Sequence, residues 1–212
     1  MPTKKTAGTA APEKKATKTA SAAKSATAKK SATKKTATKT ETKVEKTDVA
    51  APEKKSEAAT LAPRKKGVLF VASEAFPYAG TGGLGEVIGS LPKNLNKLGK
   101  YDARVILPLY ESIGGDVRAR MQYLGNIYVP LAWRMQYCGL FRLEENGTVY
   151  YFVDNEYYFK RNSLYGYGDD GERFAFFSRA VLELIPMLDF RVDVLHCHDW
   201  HTALVPVYYK LY

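Results

Sequence analysis

Large apolar residues are almost missing from the first 66 positions, where Met1, Val44, Val49 and Leu61 stand alone, and they are dense from position 67 onward. The dense part opens with Gly67-Val68-Leu69-Phe70-Val71-Ala72, a continuous apolar run that predicts a parallel strand buried on both faces. Ser73 to Gly83 contains Pro77, Gly80, Gly82 and Gly83 and predicts a loop. From Leu84 to Leu98, apolar residues at 84, 87, 88, 91, 95 and 98 mark one face of a helix. Pro92 predicts a break or bend in that helix, and Gly99 a C-cap. Ala103–Leu107 is a second apolar strand, so the opening unit reads as βαβ.

Further on, 124–133, 136–143 and 148–153 are rich in Tyr, Val and Phe, and Asn146-Gly147 between the last two signals a hairpin. Residues 174–188 have a helical pattern, 192–196 a strand pattern, and 202–212 a helical pattern still apolar at Tyr212. The fold class is α/β with a β-hairpin insertion. A doubly wound domain normally continues with more βα units. The sequence is therefore read as a fragment.

Composition separates the two parts. The chain of 212 residues has 32 Lys and Arg against 22 Asp and Glu, a net charge of +10. Residues 1–66 hold 18 of the basic and 6 of the acidic residues, so they carry +12 and the remainder −2. The positive charge belongs to the tail, which excludes reading the whole chain as a basic nucleic-acid-binding domain. Residues 1–66 contain no Phe, Tyr or Trp, and Ala-Pro-Glu-Lys-Lys occurs twice, at 11–15 and 51–55. So few apolar side chains cannot offset a backbone entropy of about 1–2 kcal/mol per residue, and this Lys/Ala/Thr-rich segment is expected to be disordered. It resembles the lysine-rich tails of linker histones. Weak, salt-sensitive binding to a polyanion and simple solvation both fit it.

No run approaches the roughly 18 apolar residues of a membrane helix, so no membrane association is expected. Two cysteines, Cys138 and Cys197, make no disulfide framework and read as reduced thiols in a cytoplasmic protein.

Gly80-Thr81-Gly82-Gly83-Leu84-Gly85 matches G-x-G-x-x-G literally. A dinucleotide site needs the first glycine close behind the strand and an acid near the end of the next one. Here seven residues, 73–79, intervene, and Glu111 lies only beyond Leu107-Pro108-Leu109-Tyr110. What remains is a loop whose amides can approach an anion or sugar at a helix N-terminus, or a tight turn without a ligand. His196-Cys197-His198-Asp199-Trp200-His201 invites a metal reading. Neighbouring side chains at a strand end point to opposite sides, and the chain has only three histidines, so no metal is expected. The cluster reads better as polar groups at the carboxyl end of a strand, where open α/β sheets bind ligands. Asp154-Asn155-Glu156 and Asp169-Asp170 fit helix capping as well as chemistry. Tyr157, Tyr158, Tyr165 and Tyr167 have flat amphipathic rings suited to stacking on a pyranose, or to ordinary packing.

Four segments in this order carry more information than any one of them: 68–77 (VLFVASEAFP), 81–92 (TGGLGEVIGSLP), 167–180 (YGDDGERFAFFSRA) and 194–202 (VLHCHDWHT). Together they closely resemble the N-terminal half of bacterial glycogen synthases and plant starch synthases, over residues 67–212 and not over the tail. The resemblance implies the incomplete, Rossmann-like N-terminal domain of a GT-B glycosyltransferase. It implies transfer of glucose from ADP-glucose, with retention, to the non-reducing end of an α-1,4-glucan, without metal or other cofactor. It also implies a second domain that binds most of the nucleotide sugar, so residues 67–212 alone are expected to be inactive. By position, Gly82, Gly83 and Leu84 would lie against the donor and Glu74 would shape the pocket. His198 would belong to the substrate-binding set, and His201 and Asp169 would be the catalytic pair. The family's motif has Lys where this chain has Gly80, which removes a cation from the phosphates and bears on nucleotide affinity and preference. It has Asp where this chain has Glu86. A glucan-binding or interaction module without catalysis, and a GT-B transferase with another donor, are the competing readings.

Overall fold

The computed structural model describes residues 64–212, and the expectation for residues 1–63 lies outside them. Arg64 to Lys66, expected in the tail, belong to the folded part. Arg64 donates to Asp193 at 2.8 Å, and the first strand, β1, is Lys66–Val71. Then follow α1 (Gly83–Lys97), β2 (Tyr101–Pro108) and a short α2 (Gly115–Arg118). The middle comprises β3 (Gln122–Leu131), β4 (Arg134–Glu145), β5 (Thr148–Asp154) and a short α3 (Glu156–Phe159). The chain closes with α4 (Asp170–Leu184), β6 (Val194–Cys197) and α5 (Leu204–Leu211).

The strands form one sheet in the order β3-β4-β5-β2-β1-β6. β5, β2, β1 and β6 are mutually parallel, and β4 and β3 extend the sheet antiparallel beyond β5. The parallel strands carry the continuous apolar runs: Val68 to Val71 and Val105 to Leu107 are buried, as is all of β5 but Asp154. β1 connects to β2 on one side, while the chain crosses back from β5 to reach β6 on the other. Right-handed crossovers in opposite directions place α1 and α4 on opposite faces. The point where the strand order reverses lies between β1 and β6.

Two local features differ from the sequence pattern, and a third settles an open one. Pro92 sits inside α1, which runs through it to Lys97. Burial of Ile88 and Pro92 holds the helix together across the missing donor. α4 begins at Asp170, four residues before its apolar face starts, because Asp170 accepts the amides of Gly166 at 2.6 Å and Tyr167 at 3.1 Å. Asn155 is the N-cap of α3 and accepts the Tyr158 amide at 3.0 Å, so its role is the capping one. Two turn signals hold. Gly99 has φ +72° just past α1, and Asn146 and Gly147 have φ +53° and +74° in the hairpin between β4 and β5.

A Cβ at Gly147 would meet no atom within 4 Å, so backbone conformation alone sets the cost of a side chain there. Gly147→Ala is expected to lower the unfolding free energy by about 1 kcal/mol, read from the urea midpoint. An unchanged midpoint would show that the hairpin tolerates another turn.

Candidate functional site

The loop after β1 and the loop after β6 meet at the carboxyl ends of the two strands flanking the reversal point. From the first, Glu74 is 2% exposed. Its carboxylate accepts the Thr81 amide at 2.9 Å, the Thr81 hydroxyl at 3.0 Å and the Tyr165 hydroxyl at 2.7 Å. Burial opposes its charge, but the Thr81 amide, the Tyr165 and Thr81 hydroxyls and the nearby His201 outweigh burial and hold it below the usual carboxylate range. Glu74 therefore fixes the entry to α1 by bonding the residue just before its N-cap, Gly82.

Gly82 has no side chain to cap the helix, and a Cβ at Gly82 or Gly83 would meet nothing within 4 Å. The first amides of α1 thus have no side-chain cap and no side chain crowding Gly82 and Gly83, and Leu84 after them is half-buried. Gly80 differs. A Cβ there would lie 2.8 Å from Cε1 and Cζ of Phe76, so the Phe76 ring occupies the space where the stem of a lysine would begin. A cavity of about 410 Å³ opens beside this loop, lined by Phe76, Gly80, Thr81, Ser112, Ser163 and others. A groove of about 470 Å³ lies away from these groups, between β6 and α5, lined by Val194, Leu195, Val205 and Tyr209.

From the second loop, His201 is 3% exposed and packs between rings: Trp200 at 4.0 Å, Phe174 at 4.6 Å and Tyr165 at 5.0 Å between centroids. Neither ring nitrogen has a hydrogen-bond partner among the described residues. Burial lowers its pKa against the pull of Asp199, Glu74 and Asp170, so the ring is neutral at neutral pH. A buried imidazole with both nitrogens unsatisfied is a costly arrangement unless something else meets it. Asp199, at φ +62°, turns the chain sharply between β6 and this residue.

His198 goes elsewhere. Its ring stacks on Phe70 at 5.7 Å and lies 4.3 Å from His196, so it packs against the sheet. Burial and His196 lower its pKa as well. Asp169 stands at the N-cap of α4, where its carboxylate takes both terminal nitrogens of Arg161, at 2.8 and 3.3 Å. Its neighbour Asp170 is among the charges acting most strongly on His201. Among the described residues no group of three His, Cys, Asp or Glu could hold a metal ion.

Residue-by-residue reading missed Arg173. It is fully buried and donates to the carbonyls of Tyr158 at 2.7 Å and Leu164 at 3.0 Å and to Asp170 at 2.5 Å. It thereby pins both ends of the α3–α4 loop, which delivers Tyr165 to Glu74. Its position, one residue before the helix expected at 174–188, gave no local sign of burial. Of the four tyrosines, Tyr165 reaches the site and Tyr158 is core, its hydroxyl on Glu172 at 2.6 Å. Tyr157 and Tyr167 flank Arg161 at 6.0 and 5.2 Å.

With this geometry in place, the comparisons identify the class. The family described as starch synthase catalytic domain matches residues 67–212, and the chain belongs to it. Glycogen synthase of Geobacillus thermodenitrificans is 56% identical over 139 residues, which are 66% of this chain and 28% of the relative. That of Clostridium kluyveri is 51% identical over 144 residues, 68% of this chain and 30% of the relative. The catalytic domain of Starch Synthase IV from Arabidopsis thaliana, bound to ADP and acarbose, superposes with a TM-score of 0.63 at 32% identity. That superposition covers 70% of this chain and 31% of the other. The chain spans less than a third of the length of these relatives. The sheet and its crossovers are those of a GT-B glycosyltransferase catalytic domain.

Two predictions follow from the buried groups. Arg173→Leu leaves two carbonyls and Asp170 without their donor and is expected to cost about 3–5 kcal/mol, with hydrogen-exchange protection lost first in 158–167. Loss spread evenly over the fold would show that the loop is held by other contacts. Secondly, His198 and His201 have folded pKa values below their ordinary 6.5. The unfolded chain then binds more protons, so the stability that neutral rings allow is present above pH 6.5 and falls as the pH drops below it. Glu74 adds its loss only below its own ordinary 4.5. Urea midpoints between pH 7.5 and 5.5 should fall for the native chain and fall less for His201→Phe. Equal slopes would place the acid sensitivity elsewhere.

Proposed function

We propose that this chain forms the acceptor-side, glycine-loop part of a glycogen or starch synthase. The reaction is transfer of glucose from ADP-glucose, with retention, to the non-reducing end of an α-1,4-glucan. The observation that carries this reading is the pairing of open helix amides at Gly82 and Gly83 with a buried, unsatisfied His201, on either side of the Glu74–Tyr165 bond. The amides and the N-terminal end of α1 supply partial positive charge for a diphosphate without needing a side chain. A neutral His201 offers one N–H and one lone pair to sugar oxygens and stabilises charge that grows on the transferred glucose. Glu74 does no proton transfer in this scheme. Its lowered pKa keeps it ionised and fixes Thr81, and hence the glycines, in place. Asp169, tied to Arg161, acts from the rim of the site, and His198 supports the loop from beneath.

Gly80 leaves the diphosphate to backbone amides on this side of the cleft. The donor contacts that a lysine would make fall to the rest of the synthase, and ADP-glucose is retained as donor because 81–92 keeps the family's glycine loop, with Glu86 for Asp as a conservative change. The test is incorporation of labelled glucose into glycogen by the protein purified from its source cells, with ADP-glucose and UDP-glucose in parallel. Extension from ADP-glucose is expected, with His201→Ala lowering turnover about 10²–10³-fold, as for loss of one preorganised donor. Extension from UDP-glucose alone would reassign the donor, and extension from neither would end the synthase reading.

A further inference from the structure

Outside the pocket, the same side of the domain carries one arrangement twice. At the tip of the β3–β4 hairpin, Trp133 is 89% exposed and its ring lies under the guanidinium of Arg134, 5.7 Å away. Arg134 is paired with Glu172 in the first turn of α4. On α3, Tyr157 is 61% exposed, with the guanidinium of Arg161 at 6.0 Å, and Arg161 is paired with Asp169 at the start of α4. Each unit is thus an open aromatic face, an arginine and a carboxylate, and both carboxylates come from one end of one helix.

The two units are joined by contacts. Glu172 holds both Arg134 and the hydroxyl of Tyr158, and the Tyr158 ring lies 5.0 Å from that of Tyr157. Arg161 continues to Tyr167, at 5.2 Å, and Tyr165 two residues earlier reaches Glu74 and the ring of His201. A row of rings and ion pairs therefore connects the candidate pocket to the hairpin tip, with Trp133 and Tyr157 exposed along it and Tyr158, which joins the two units, buried. Nothing in the fold needs Trp133, since its side chain buries almost no area.

We propose that this row is a track for an α-glucan chain, with Trp133 and Tyr157 as distal subsites beyond the reacting end. The inference rests on the synthase reading and extends its acceptor side. Pyranose rings have apolar C–H faces and equatorial hydroxyl edges. Indole and phenol faces match the first, and fixed guanidinium–carboxylate pairs match the second by donating and accepting in one plane. Interleaving the two at successive positions suits a repeating sugar polymer, whereas a protein partner would favour a continuous apolar patch. The arginines are held by their carboxylates before any ligand arrives, which lowers the ordering cost of binding.

The chain has two tryptophans, Trp133 and Trp200, so Trp200→Phe leaves Trp133 as the only indole reporter. In that background the 212-residue chain is titrated with maltotriose and with maltoheptaose. A shift in Trp133 emission is expected with maltoheptaose and not with maltotriose. By calorimetry, Trp133→Ala should weaken maltoheptaose binding about tenfold, the scale of one aromatic contact, and leave maltotriose unchanged. Trp133→Tyr should restore most of the loss. Equal maltoheptaose binding by native chain and Trp133→Ala overturns the track while leaving the synthase reading intact, as does a silent Trp133. If neither oligosaccharide binds the native chain, the track and the acceptor part of the reading fall together. Donor-dependent glucan extension then decides separately whether the synthase reading survives.

Discussion

Everything at the candidate site depends on how one buried guanidinium is satisfied. Arg173 sits inside α4 with no solvent contact, and its donors go to Asp170 on its own helix, to the Tyr158 carbonyl of α3 and to the Leu164 carbonyl of the loop between them. A charge in that position is tolerable only with all its partners present. The constraint works in both directions. The loop satisfies the arginine, and the arginine gives the loop a single path, so that a segment of Tyr, Gly, Asn and Ser without regular structure holds Tyr165 against Glu74.

Two kinds of polar group then face each other across the reversal point of the sheet. Glu74 is saturated by three donors and is ionised, whereas the ring of His201 is neutral and has no partner among the described residues. A satisfied anion stiffens the frame, and an unsatisfied imidazole keeps its hydrogen-bonding capacity for a ligand. Because Tyr165 touches both, the glycine loop and the aromatic row share one support. A change in the α3–α4 loop would be felt on the donor side and the acceptor side alike.

The architecture was legible where one residue type settles a local question. The apolar run 68–71 could only be an inner strand, and Asn146-Gly147 supplied the positive φ values the hairpin uses. The start of α4 was misread because its first turn is fixed by Asp170 bonding backward to Gly166 and Tyr167, which no apolar period reports. Pro92 does not break α1, because burial outweighs a lost backbone bond. At the site, Glu74, Gly82, Gly83 and His201 were singled out by the family resemblance alone, and the fold brings the two loops that carry them to neighbouring strand ends. His198 and His201 looked equivalent in sequence. They part only because Asp199 turns the backbone, sending one ring to Phe70 and the other to Phe174. Tyr165 and Glu74 are 91 residues apart, so their bond had no local trace.

The strand order also sets a timetable for synthesis. β1 emerges first, but its outer neighbour is β6, and the Gly67–Asp193 bond at that seam closes a span of 126 residues. At about 5–20 residues per second on the ribosome, β1 stays open along that edge for roughly 6–25 s after it appears. Over that interval its Val-Leu-Phe-Val core is a template for any passing strand. Until β6 arrives, that edge of the nascent chain is open to pairing with the wrong strand.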